Sequence, residues 1–215
     1  MKVLIVNADD LGASRGINQG VIDAYRKGIL TSASMMVDAA RSAEAGRISA
    51  RHPDLGVGLH VVLRPSADAP EAEVERQLER FTELTGQPPT HIDAHHNVHH
   101  DARVLPAFLS VAERHDLPLR GYCGVRHIAT FYGQLDGEIH LEHISPSGFE
   151  RIVATEVEDG FNELCCHPGY VDDELVSSYT AERQAELATL CDPGVTALLS
   201  ERAIRLATFR EVPTR

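Results

Sequence analysis

Short, unbroken apolar runs that alternate with amphipathic stretches are the feature that most limits what this chain can fold into. A strand buried on both faces loses the in–out alternation and reads as a continuous run, and two parallel strands need a crossover, normally a helix, between them. Lys2–Asn7, Thr31–Val37, Gly56–Leu63, Thr90–His95, Leu117–Cys123 and Phe161–His167 have this strand character, and Ala207–Val212 closes the series. Between them, Gly16–Gly28 sets Ile17, Val21, Ala24 and Tyr25 at helical spacing, and Pro70–Gly86 sets Val74, Leu78, Phe81 and Leu84 on one face. Asp101 is placed to cap a helix over Ala102–His115, and Thr180–Cys191 and Thr196–Leu206 complete the set. Residues 64–70 and 126–148 mix Gly, Pro and polar side chains and read as loops, the longer one with short strands in it. The expectation is an α/β chain with about seven parallel strands, either a distorted or incomplete (β/α) barrel or a doubly wound sheet.

Composition narrows the function. The chain has 215 residues, 43% of them hydrophobic, enough for one domain (residues 1–215) with a real core. Its 32 acidic and 20 basic side chains leave a formal charge of −12, a surface that repels phosphate backbones and makes nucleic acid a poor partner. Met1–Val6 is too short for a signal segment and no apolar stretch has the length of a membrane span, so a soluble cytoplasmic protein with no membrane partner is expected. The four cysteines form no C-x-x-C pair, and Cys165-Cys166 read as buried reduced thiols. A homo-oligomer is common among soluble enzymes, but no residue pattern locates an interface.

Ionisable residues fall repeatedly at the carboxyl ends of the predicted strands, the edge where parallel α/β folds build their sites. The first strand ends in Asn7, Asp9 and Asp10, the Gly56 strand carries His60, the Thr90 strand Asp93 and His95, the Leu117 strand Arg120, and the Phe161 strand His167. Each has a plainer reading alone: Asp9-Asp10 as a turn, His60 as a core histidine, His99 and His100 as solvated side chains. Five of the twelve histidines (His91, His95, His96, His99, His100) nevertheless lie within ten residues, a density that points to metal or proton chemistry. Alternation puts His91, Asp93 and His95 on one face if the strand extends that far, with at least one of them a ligand and the others orienting it. One carboxylate and two imidazoles on a divalent cation leave positions for water and substrate. A free carboxylate then serves as base and a separate histidine as acid.

The motifs Asn7-Ala8-Asp9-Asp10-Leu11-Gly12, Gly58-Leu59-His60, Thr90-His91-Ile92-Asp93-Ala94-His95-His96-Asn97-Val98-His99 and Cys166-His167-Pro168-Gly169 resemble, in order, those of the YdjC-type (ChbG-like) carbohydrate deacetylases. The resemblance runs from residue 2 to about 200, with Tyr179–Arg183 and Glu186 similar to the family's C-terminal helix. It implies a distorted (β/α) barrel similar to the NodB-type polysaccharide deacetylases and removal of N-acetyl groups from amino sugars such as chitooligosaccharides. It also implies a divalent metal, zinc or magnesium, on Asp10, His60 and His95, with Asp9 as general base and His167 as acid. Arg120 then orients Asp9 or binds substrate, and Asn7, His91 and Asp93 support the ligands or touch substrate. Asn97 stands where the family often has histidine, and the 64–70 loop is trimmed, so substrate identity transfers least. Two other classes stay open. One is an iron oxygenase whose two-histidine, one-carboxylate site starts at His91-x-Asp93; the other is a non-catalytic sugar- or metal-binding protein, which the absence of Trp and the 5% aromatic content disfavour.

Overall fold

The computed structural model describes residues 1–213. Strand β1 (Lys2–Leu11) is followed by α1 (Arg15–Lys27), β2 (Ser32–Met35), α2 (Ser42–Arg51), β3 (Gly56–Val61), α3 (Pro70–Thr85), β4 (Ile92–Ala94) and α4 (Leu105–Arg114). The second half carries β5 (Arg126–Ile128), the hairpin β6 (Gln134–Leu135) and β7 (Glu138–Ile139), α5 (Pro146–Thr155), β8 (Gly160–Cys166), α6 (Ala181–Leu190), α7 (Pro193–Glu201) and β9 (Arg205–Leu206). The main sheet is parallel, in the order β4-β3-β2-β1-β8-β5, with β9 beside Val3 and Leu4 of β1. It curls into a half-barrel with helices around it, the expected incomplete barrel. No helix among the described residues is long and apolar enough to cross a membrane.

β1 is buried over nearly its whole length, and its apolar run stops only where the site begins. Helix α1 starts where the Ser14 side chain accepts from the Ile17 N–H and buries Ile17, Val21 and Ala24. Helix α3 has Pro in its first turn, buries Val74, Leu78 and Phe81, and ends at Gly86, whose φ of 75° only glycine adopts freely.

Several expectations need correction. Leu117–Cys123 is not a strand: it makes a single bridge, Leu119 to Ile92, before positive-φ turns at Gly121 and Gly124 divert it. The strand beyond it is β5, which with the β6–β7 hairpin supplies the short strands expected within the 126–148 loop; only the start of α5 in that segment was not expected. Helix α4 begins at Leu105, three residues late, because a 3₁₀ turn over His95–His100 precedes it. Helix α7 starts earlier and ends sooner than expected, capped by the Asp192 side chain, and the expected strand Ala207–Val212 instead holds a 3₁₀ turn over Phe209–Glu211. Helices α2 and α5 lie outside the elements expected from the sequence. The buried stripe of α2 is made of Ser42, Ala45, Gly46 and Ser49, too small to register as apolar periodicity, and a Cβ on Gly46 would meet the Leu84 carbonyl at 2.4 Å. Helix α5 opens on Ser145-Pro146-Ser147-Gly148, turn-like residues that here form a cap and first turn.

Candidate active site

The carboxyl end of β1 departs from regular strand geometry where the chemistry starts. Pairing with β2 shifts register between Ala8 and Leu11, and Asp10 takes a left-handed φ of 69°. Holding a non-glycine residue there costs about 1–3 kcal/mol, and such strain collects where a side chain must be re-aimed. The result is that adjacent carboxylates serve different partners: Asp9 faces Arg120, and Asp10 faces His60, His95 and Arg183.

Asp10 Oδ2 accepts from Arg183 Nη2 at 2.7 Å. Its Oδ1 is buried without a hydrogen bond of good geometry, while His60 Nε2 stands 3.5 Å away and His95 Nδ1 3.3 Å away. These three ligand atoms lie within 4.8 Å of one another. His60 is aimed by its other nitrogen, Nδ1, which meets Asp93 Oδ1 at 2.7 Å, the carboxylate–imidazole arrangement that orients metal-binding histidines. An orphaned carboxylate oxygen facing two imidazole nitrogens is a donor set that fits a divalent cation. Burial opposes charge on His60, yet the Asp93 and Asp9 carboxylates outweigh it and hold the imidazole at about 10. Burial likewise disfavours the Asp10 anion, but the two imidazoles and Arg183 keep its carboxyl well below the usual range.

Asp9 is gripped from behind. Arg120 donates Nη1 to Oδ2 at 2.9 Å and Nη2 to Oδ1 at 2.7 Å, and Asn7 adds a bond to Oδ1 at 2.9 Å. The same guanidinium, fully buried, reaches Glu163 Oε1 and Asp93 Oδ2, both at 2.7 Å. One cation thus links the Asp9 carboxylate to the carboxylate that aims His60. Desolvation alone would raise the Asp9 pKa; Arg120 and His60 reverse that and hold Asp9 ionised.

His167 follows β8 and lies on the same cavity, about 710 Å³, that Asp9, Asp10, His60 and His95 line. Burial pushes its imidazole down to about 4, so it rests neutral. Behind it sits Glu186, fully buried, which takes the His167 backbone N–H and the Tyr179 hydroxyl and stands 3.9 Å from His167 Nδ1. Burial raises Glu186 to about 8, which keeps a proton on that carboxyl at neutral pH.

The residues singled out from the sequence divide sharply. Asp9, Asp10, His60, His95 and His167 share the cavity, and Arg120, Asp93 and Asn7 stand directly behind it. His91 does not line the cavity but lies behind it: its ring is stacked on Phe209 at 3.8 Å, its nitrogens meet Ser34 and Thr90, and Nε2 stands 3.7 Å from Oδ2 of Asp93, the carboxylate that aims His60. That arrangement separates His91 from an open coordination site, the geometry an oxygenase would need. His96 lines the cavity against His95, whereas His99 is buried and His100 meets the Tyr122 hydroxyl. Glu163, Glu186, Tyr179 and Arg183 belong to the site without having been assigned roles. The sequence signal that existed was a polar residue, Glu163, within an apolar strand, and Arg183 and Glu186 one turn apart on a helix face.

Fold and site together define an α/β half-barrel with a carboxylate–imidazole cluster at its carboxyl rim. The sequence pattern of the YdjC-like protein family matches residues 3–70 and 64–201, and the chain belongs to that family. It is similar to a carbohydrate deacetylase from Geobacillus stearothermophilus, 36% identical over 96% of each chain. It is also similar to a chitooligosaccharide deacetylase from Yersinia pestis (strain Pestoides F), 33% identical over 97% of this chain and 98% of that one. A crystal structure from Enterococcus faecalis V583, provisionally assigned to cellobiose-phosphate cleavage, superposes with a TM-score of 0.78 at 28% identity, covering 97% of both chains. The resemblance carried by the motifs is thereby confirmed.

Proposed function

We propose that the protein is a metal-dependent hydrolase that removes N-acetyl groups from amino sugars, with chitooligosaccharide-like molecules as substrates. The observation that carries this reading is the buried, unsatisfied Oδ1 of Asp10 facing His60 and His95, with an independently anchored carboxylate, Asp9, next to it. Asp10, His60 and His95 are the ligands, and two imidazoles favour zinc or another transition ion over magnesium. When bound there, a divalent cation polarises an amide carbonyl and acidifies water.

The chain's own groups supply the rest. Asp9, kept ionised by Arg120, accepts the proton of the attacking water. Arg120 holds both Asp9 oxygens, so the base is fixed in position before substrate arrives. His167 passes a proton to the departing amine, and its resting neutrality means that this proton must reach the ring during turnover. The Glu186 carboxyl, buried 3.9 Å from Nδ1, is placed to hand one over. Relatives named as carbohydrate and chitooligosaccharide deacetylases support the substrate class.

The test is acetate release from N,N′-diacetylchitobiose with and without chelator. Chelator-sensitive release is expected, restored by added metal. Binding without turnover would favour a sugar-binding protein, and oxygen consumption an oxygenase.

A further inference from the structure

The hairpin of β6 and β7 runs directly into a short turn that carries two imidazoles and a carboxylate outside the main cavity. His140, Glu142 and His143 belong to a 3₁₀ turn (Leu141–His143, with His140 at its start) between β7 and α5. One nitrogen of each imidazole and one Glu142 oxygen lie within 4.8 Å of one another. None of the three lines the cavity that holds Asp10, His60 and His95.

The side chains converge because the backbone beneath them is fixed. The His140 N–H donates to the Gly133 carbonyl at 2.8 Å, the His143 N–H to the His140 carbonyl at 3.1 Å, and the Ser145 hydroxyl to the Glu142 carbonyl at 2.9 Å. Ile144 is fully buried beside them, and its carbonyl takes the Thr189 hydroxyl of α6 at 2.6 Å. Helix α5 packs so closely on the turn that a Cβ on Gly148 would meet the His143 carbonyl at 2.3 Å. The three groups therefore start from one braced segment, and little chain entropy is lost in bringing them onto an ion.

A plain ion pair accounts for part of the cluster: His140 Nδ1 meets Glu142 Oε1 at 2.9 Å. It leaves His143 unexplained. That ring lies 5.2 Å from the His140 ring and 12° from parallel, and among the described residues no hydrogen bond takes its nitrogens. Two protonated imidazoles stacked this way repel each other, whereas two neutral ones beside a carboxylate make a donor set of two nitrogens and an oxygen. Such a set suits zinc or a similar transition ion better than magnesium or calcium, which take oxygen ligands. A tetrahedral zinc with bonds of about 2.0–2.1 Å places its ligand atoms about 3.4 Å apart. Glu142, 63% exposed, is free to swing the remaining distance.

We propose that His140, Glu142 and His143 form a second metal site, for zinc-like divalent ions, with water in the fourth position and separate from the Asp10 cluster. The site stands whether or not the protein is a deacetylase. An ion held there braces the link between the hairpin and α5, and three protein ligands on an open surface make it exchangeable, unlike a closed structural zinc site.

The test is equilibrium dialysis of the metal-stripped full chain against micromolar free zinc, with bound zinc counted per chain. Two equivalents are expected for the unaltered protein and one for His143→Ala; His60→Ala should also keep one, at the surface. Glu142→Gln, which preserves the shape of the side chain, should weaken the surface equivalent by at least about tenfold, since even groups that only orient a ligand cost that much. Loss of one equivalent in His143→Ala supports the site whatever the total, and a fall from one to none would mean that the Asp10 cluster is the part that fails. An unchanged zinc count in His143→Ala overturns the proposal, as does a second equivalent that binds only at millimolar zinc, the behaviour of a lone surface histidine. Should the alanine variant fail to fold, Glu142→Gln decides: weakened binding supports the site and unmoved affinity overturns it.

Discussion

The two ends of β1 are equally buried and chemically opposite. At the amino end, Val3 and Ile5 pack with Val125, Ala207, Phe209 and Val212 in a small apolar cluster. At the carboxyl end, Asn7, Asp9 and Asp10 are just as dry but carry two carboxylates, answered by Arg120 and Arg183. The first end is held by apolar area removed from water, which any side chain of the right shape supplies. The second is held by mutual compensation among charges, each of which would be costly alone. One strand therefore has an end that tolerates change and an end where every group depends on the next.

That contrast can be broken by substitution. The largest effect is expected from Asp9→Asn, which should lower kcat by about 10²–10⁴-fold while keeping the metal. Metal analysis of the purified variant checks it, and stoichiometric metal loss would exchange the roles of the two aspartates. Arg120→Met should follow: it strands Asp9, Asp93 and Glu163 together, and urea unfolding should show a loss of about 3–5 kcal/mol.

The next effects are pH-dependent. His60 carries a proton up to about 10 in the metal-free protein, and a ligand nitrogen must lose that proton. Metal binding should then release protons and weaken by about tenfold for each pH unit lowered, measured with a competing chelator. Invariant affinity between pH 6 and 8 (about two decades of proton competition) would remove His60 from the ligand set. Glu186 works with the opposite sign on stability. Its folded pKa of about 8 exceeds the ordinary 4.5, so the folded chain binds a proton that the unfolded chain has shed. Stability is lost as pH rises through that window, and Glu186→Gln should flatten the slope.

The smallest change belongs to the apolar end. Ile5→Val should cost about 0.5–1.5 kcal/mol and leave metal content and turnover untouched. A catalytic defect there would mean that the two ends are coupled, contrary to their separation.

The hairpin and the start of α5, which flank the turn carrying His140 and His143, lie in a stretch whose sequence pattern was weak. Short edge strands such as β5, three residues long, bury too little to impose periodicity, and their existence depends on β8 being there to pair with. The histidine-rich segment shows the same limit from the other side. Its density pointed to the site, yet His91 and His95 diverge because strand β4 stops at Ala94 and His96 and Asn97 turn with positive φ.

What was legible in the residues alone is the parallel α/β plan, the family, and the set of acids and imidazoles at the strand ends. Those follow from local facts: apolar run length, turn residues, and polar side chains where apolar ones are the rule. Which carboxylate faces which partner was settled only by folding. The left-handed turn at Asp10 and the reach of Arg120, across 111 residues of chain, to Asp9 are long-range outcomes. Local sequence preferences cannot encode them, because a buried charge takes its role from the counter-charges that the assembled fold brings beside it.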